Sequence, residues 1–255
     1  MTISLEVDDT TGPDEARGRD EARQPDDLRK PDLPAMMRQA ALRVRARLEA
    51  VAGLTQLAPP AVPPHDPRLV WRNTLFSGAK LRRGHIELFE IPGHFAVLHV
   101  CLTPQTHSAA PIFGFDMVAG TAQATGIFLD FSPTCPGPPV PALRDAMPPT
   151  ALTAFAQYRP RPAWGDCFSE DFFAIRPASM AEAATATALA ETALDHYLRH
   201  LDDAAYVRGT VAQDGQAAYA RAQRRNPHTF RMLSGHVGAS AAREFIDEVL
   251  FPLPA

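Results

Sequence analysis

Three regimes of hydrophobic and polar positions follow one another along the chain. In residues 35–51 the apolar positions Met37, Ala40, Leu42, Val44, Leu48 and Val51 recur at helical spacing, and Gly53 ends the run. The prolines of residues 59–64 predict a stiff, extended connector. From Leu69 to Ser132 the period shortens to that of strands. The clearest are residues 79–89, 96–102, 112–118 and 125–131, with a further strand at 172–176. Short loops between them imply antiparallel neighbours. Helical spacing then returns. Ser179 and Glu182 read as a capping box opening a helix to about Leu201, with Leu189, Ala193, Tyr197 and Leu201 on one face. Residues 216–225 read as another helix, closed by Asn226-Pro227 because a residue before proline disfavours the αR region. Residues 240–250 form the last, anchored by Phe245, Val249 and Leu250. Strands in the middle and helices at both ends predict one α+β domain, a central antiparallel sheet with helices on both faces.

Within this apolar frame a few ionisable residues stand out. Asp116 lies between Phe115 and Met117 in a run that otherwise reads as a core strand. A charge there costs several kcal/mol unless it is paired or takes up a proton, and a carboxyl with a raised pKa is a proton donor near neutral pH. His85 and Glu87 sit in the first apolar strand run, and His99 in the next. Period-two geometry puts His85, Glu87 and Phe89 on one face, and Phe95, Val97, His99 and Cys101 on one face of the following strand. A hairpin across residues 90–94 would let Glu87 and His99 share a face. Glu, His and Asp converging on one pocket make a proton-transfer constellation. Three separately satisfied core polar groups are the alternative.

Composition narrows the chemistry. The 255 residues are 45% hydrophobic, with no 18-residue apolar run to span a membrane and no signal-like N-terminus. Three cysteines (Cys101, Cys135, Cys167) without CxxC spacing argue against a disulfide framework, a zinc site or an iron–sulfur cluster, and a reducing cytoplasm is expected. No GxGxxG or GxxxxGK[ST] is present, so a flavin or nicotinamide has no visible cradle. If the protein is a reductase, its electrons come from another protein. Residues 1–33 hold ten acids and five bases, whereas the whole chain is −4, so residues 34–255 carry about +1. The polar, proline-containing segment 1–33 is expected to be disordered. Basic clusters at residues 80–83 and 221–225 are either solvated faces or docking sites for an acidic partner. Nucleic acid is disfavoured, because the body is near neutral and no aromatics interleave the bases.

The runs His85-Ile86-Glu87, Leu98-His99-Val100, residues 113–120, residues 129–133, Trp164 to Glu170, Ile175-Arg176-Pro177 and Asn226 to Thr229 occur in one order. With the ending Val249-Leu250-Phe251, they resemble the ferredoxin-dependent bilin reductases from about residue 70 to residue 251. The resemblance implies an α/β/α sandwich over residues 34–255, with a bilin between the sheet and the C-terminal helices. It implies reduction of biliverdin IXα by single electrons from ferredoxin with no bound redox cofactor. Asp116 and His99 are then the central proton carriers. Glu87 matches the carboxyl that serves the D-ring vinyl group in phycocyanobilin-forming members. His85 is either a neighbour supporting that carboxyl or a plain strand histidine. Arg159 and Thr125 match positions near the propionates, Asn226 can hold a water, and Trp164 is either a core or pocket-wall residue or an electron relay. His228 replaces a lysine, and Pro227, just before it, stands where many members carry an aspartate that in some serves A-ring reduction. These two departures leave open a phycoerythrobilin-type or two-electron product. A bilin carrier without catalysis is the rival from another class; it would need the pocket but not the proton donors.

Overall fold

The computed structural model describes residues 32–255 apart from 63, 121 and 122. The tail expectation therefore falls almost wholly outside the described residues. Helix α1 spans Leu33–Glu49, and Leu33, the last residue of the segment expected to be disordered, is buried in the core. Strands β1 (Leu54–Leu57), β2 (Val70–Gly78), β3 (Leu81–Ile91), β4 (Phe95–Pro104), β5 (Ile112–Gly120), β6 (Ala124–Ser132) and β7 (Phe173–Ile175) follow. They form one antiparallel sheet in chain order, a seven-stranded meander. A short helix α2 (Leu143–Ala146) precedes β7. Helices α3 (Met180–His200), α4 (Val211–Arg224), α5 (Pro227–Val237) and α6 (Ala239–Phe245) complete the chain, the last running into a π turn at Ile246–Leu250.

The two faces of the sheet carry separate cores because strand side chains alternate. On one face Ile86, Leu88, Leu98, Val100, Phe113, Phe115, Met117 and Leu129 pack with α1 and α3. On the other, Phe89, Val97, Cys101 and Ile112 pack with Tyr219 of α4, Leu233 and Val237 of α5, and Phe245 of α6. The molecule is thus the expected α+β sandwich. Helix α1 presents Leu33, Met37, Ala40, Val44 and Leu48 inward. Leu42, expected in that stripe, is 56% exposed, since it falls two residues from Ala40 and from Val44, about 200° around the helix. Val51 lies beyond the helix end and is only half-buried. Gly53, at φ +78°, makes the turn into β1.

Strand β1 had no signal in a four-residue, largely exposed segment. Helix α5 differs from the sequence expectation, in which Pro227 only closes the preceding helix. Pro227 instead opens it, where its missing N–H is no loss, and Asn226 is its N-cap. Ser179 caps α3 by accepting the Glu182 N–H at 3.1 Å. The return half of the capping box is displaced by one residue, with Glu182 Oε2 accepting the Ala178 N–H at 2.9 Å. Among the described residues no helix is long and apolar enough to cross a membrane.

Candidate active site

One line of paired residues crosses the sheet beneath α6 and the π turn. Asn73 of β2 is opposite Glu87 of β3, Glu87 is opposite His99 of β4, His99 is opposite Asp116 of β5, and Asp116 is opposite Phe128 of β6. Residues in register share a face, so the hairpin expectation for Glu87 and His99 holds and extends to Asp116. His99 Nδ1 and Asp116 Oδ1 are 2.6 Å apart. An ionised carboxylate only accepts, which places the proton on Nδ1 when Asp116 is charged.

The line runs from dry to wet. Glu87 and His85 are buried, the His99 side chain is 9% exposed, and that of Asp116 is 42% exposed. This corrects the burial expected of Asp116. Its strand neighbours Phe115 and Met117 face the other core, while Asp116 lies toward the open side of the sheet. Glu87 is the carboxyl that lacks water. Burial pushes it from 4.5 up to about 7, although His99 and the Trp71 N–H pull the other way. For His99, burial opposes the charged ring, but Asp116 and Glu87 outweigh it and hold the pKa above its ordinary value. Burial, with His99 and Arg83 nearby, drives His85 well below the usual histidine range, so this ring is neutral.

Two partners of these groups were not foreseen. The Trp71 indole N–H donates to Glu87 Oε1 at 2.6 Å, and Asn73 Oδ1 lies 2.9 Å from His85 Nε2. The only sequence signal was Trp71-Arg72-Asn73, two polar-tipped residues at strand period, which does not reveal what lies across from them. Phe245 and Phe251 cover the histidines, with ring centroids 6.3 Å from His85 and 5.7 Å from His99 respectively. His85 Nδ1 and His99 Nε2 are buried without a partner among the described residues.

Burial lowers the His228 pKa first, and the cations of Arg231 and Arg159 lower it further, so Arg159 and His228 belong to one positive patch. Arg176 adds to it beside Arg159. Asn226 is partly committed, since its Oδ1 accepts the His228 N–H at 3.0 Å. Trp164 lies edge-on to Phe168, which stacks at 4.4 Å on Phe172, and Phe172 in turn faces Phe128 at 6.5 Å. An aromatic wall therefore begins at the register partner of Asp116. Thr125 is the unpaired residue of a bulge in β6 and gives its hydroxyl to the Val118 carbonyl at 3.2 Å.

The basic run at 80–83 does not form a free positive face. Lys80 pairs with Asp202, Arg82 Nε donates to Gln216 Oε1 at 3.2 Å, and Arg83 Nη2 donates to the Val249 carbonyl at 2.6 Å. Arg224 likewise holds the Asp247 and Phe251 carbonyls at 2.7 and 3.0 Å. Arg221 and Arg225 are exposed. Among the described residues no cluster of His, Cys, Asp and Glu could hold a metal ion.

The family model described as ferredoxin-dependent bilin reductase matches residues 34–252. A phycocyanobilin:ferredoxin oxidoreductase of Prochlorococcus marinus (strain MIT 9303) is 33% identical over 195 residues, covering 73% of this chain and 72% of the relative. One from Synechococcus sp. (strain CC9605) is 32% identical over 195 residues, covering 71% and 76%. Among solved structures, tomato phytochromobilin synthase in complex with biliverdin aligns with a TM-score of 0.64 at 13% identity, covering 85% of this chain and 82% of that one. A PcyX structure aligns with a TM-score of 0.54 at 19% identity, covering 87% and 99%. At such identities the structures speak for the fold, while the family model and the sequence relatives speak for kinship. The chain belongs to the ferredoxin-dependent bilin reductase family and is an oxidoreductase of that kind.

Proposed function

We propose that the protein reduces biliverdin IXα to phycocyanobilin in two two-electron steps, with reduced ferredoxin as the electron donor and no resident redox cofactor. The observation that carries this reading is the Glu87–His99–Asp116 line, with Glu87 raised to about 7 and His99 raised as well. Each electron delivered to a bilin raises its basicity, and each two-electron step consumes two protons. A group whose pKa lies near the working pH is best suited to give one. Asp116 exchanges with water at the exposed end, His99 passes charge through its 2.6 Å contact, and Glu87 holds a proton in the dry end. Glu87 is assigned to the D-ring vinyl group. Asp116 and His99 are assigned to the rest of the pigment. Because Pro227 offers no proton, the A-ring step relies on Asp116, His99 and water that Asn226 can hold.

Arg159 is assigned to one propionate by charge-assisted hydrogen bonding. His228 sits in the same positive patch, and its lowered pKa makes it a neutral donor. The Trp164–Phe168–Phe172–Phe128 wall suits a flat conjugated ligand. The exposed Arg221 and Arg225 are the better candidates for meeting an acidic ferredoxin, since the 80–83 run is spent on internal bonds. Action in the cytoplasm fits three free thiols.

A phycoerythrobilin-type product is the second reading, favoured by Pro227 and His228. Anaerobic incubation with biliverdin and reduced ferredoxin, followed by chromatography of the pigment, separates the readings. Phycocyanobilin is the expected product, and NADPH without a protein mediator is expected to give none. A pigment that stays biliverdin while bound would leave only a carrier. Glu87→Gln should still consume biliverdin yet stop at a product that keeps the D-ring vinyl. Phycocyanobilin formed by that variant at the parental rate would remove Glu87 from the role.

A further inference from the structure

We propose that Trp71 is a positioning residue that decides which oxygen of Glu87 delivers the proton. This rests on the reading of Glu87 as a proton donor to the pigment. Trp71 lies two residues before Asn73, the register partner of Glu87, so β2 brings it to the same face. The indole is held on two sides, with Phe89 edge-on at 5.6 Å and Phe245 at 4.4 Å. Its N–H reaches Glu87 Oε1 at 2.6 Å.

An indole N–H can only donate. Glu87 Oε1 must therefore remain an acceptor in both protonation states. In the neutral acid Oε1 is the carbonyl oxygen and the proton sits on Oε2. In the carboxylate Oε1 keeps the same bond. Trp71 thereby removes one of two equivalent donor atoms and holds the other in a fixed direction. In the step itself, reduced ferredoxin adds one electron to the bilin. The Oε2–H bond of Glu87 then breaks as a C–H bond forms at the vinyl group, leaving a carboxylate that the indole stabilises. A second electron and a second proton complete the reduction. A carboxylic acid at the same place without the indole could rotate its O–H away and would gain no such help on losing the proton.

The groups facing Glu87 are Trp71 and Asn73 from β2, His85 on its own strand, His99 from β4, Asp116 one strand further and Phe245 from α6. The charges that act on it are those of His99 and Asp116. Replacing Trp71 leaves both in place.

The test compares Trp71→Phe with the parent and with the same change in a Glu87→Gln background. Vinyl reduction and biliverdin affinity are followed against pH with reduced ferredoxin as donor. Loss of the donor should move the alkaline limb of vinyl reduction upward by about one pH unit, because a hydrogen bond to the charged form is gone. Biliverdin affinity should stay within about twofold, since the indole bonds Glu87 and not the ligand in this reading. The infrared carbonyl band of neutral Glu87 should move to higher frequency. In the Glu87→Gln background Trp71→Phe should add nothing to the vinyl step. An unmoved limb or an unmoved carbonyl band overturns the role of Trp71 while leaving Glu87 intact. Parental phycocyanobilin from Glu87→Gln alone overturns the donor reading itself. If Trp71→Phe fails to fold, benzothienylalanine at position 71 keeps the ring shape and removes only the N–H, and the same outcomes apply.

Discussion

Burial separates the two carboxyls of the site, and each separation has a measurable consequence. Asp116 is half open to water and bonded to His99. Asp116→Asn keeps the shape but removes the exchangeable proton, so biliverdin binding should persist while product formation falls by about 10²-fold, measured in single-turnover reduction. Glu87 is dry, with a folded-state pKa of about 7 against 4.5 in water. The native state therefore binds this proton more tightly than the unfolded chain does. The stabilisation is fully present below pH 4.5 and is lost as pH rises through about 7. Glu87→Gln should remove that slope. Unfolding by denaturant should show the variant on the order of 3 kcal/mol more stable than the parent at alkaline pH and close to it in acid. Strand period, together with a hairpin across residues 90–94, was enough to put Glu87 and His99 on a common face. It could not say which carboxyl would be desiccated, because that depends on where α6 and the π turn come to rest over the sheet. Trp71 and Asn73 were illegible for a related reason. Their partners lie across β2 and β3, a pairing that no local pattern encodes.

At the scale of elements, the long periodic segments were readable and the short or doubly signalled ones were not. Strands β3 to β6 differ from expectation by at most two residues at each end. Strand β1 was silent, and the start of α5 was hidden because proline both ends one helix and begins the next. Two helical glycines test how tightly these elements are seated. A Cβ on Gly215 of α4 would collide with the Thr134 backbone carbonyl, whereas one on Gly235 of α5 would meet nothing within 4 Å. Gly215→Ala should cost about 1–3 kcal/mol or more, since backbone must move to admit it. Gly235→Ala should gain about 0.5–1 kcal/mol from helix propensity alone. Thermal unfolding of the two variants should therefore shift in opposite directions.

The whole molecule is a sheet with two unlike coverings. Helices α1 and α3 seal one face with aliphatic and aromatic side chains, and their core begins at Leu33. Deleting residues 1–31 should leave the melting temperature unchanged, while a deletion that also removes Leu33 should lower it. That boundary could not be read from composition, because Asp32-Leu33-Pro34 looks like the acidic segment before it. The other face carries the ionisable line, and the meander gives that line an unusual property. With strands in sequential order, each step along it from Asn73 through Glu87, His99 and Asp116 to Phe128 is a step of one strand. Adjacent strands are about 4.8 Å apart, so strand number serves as a ruler laid across whatever rests on the sheet. Moving an acid from position 87 to position 73, or from 116 to 128, shifts the source of hydrogen by about 5 Å while the backbone stays where it is. Regiochemistry on such a scaffold becomes a question of address: which strand carries the acid decides which carbon is within its reach, and two codons are enough to change the address.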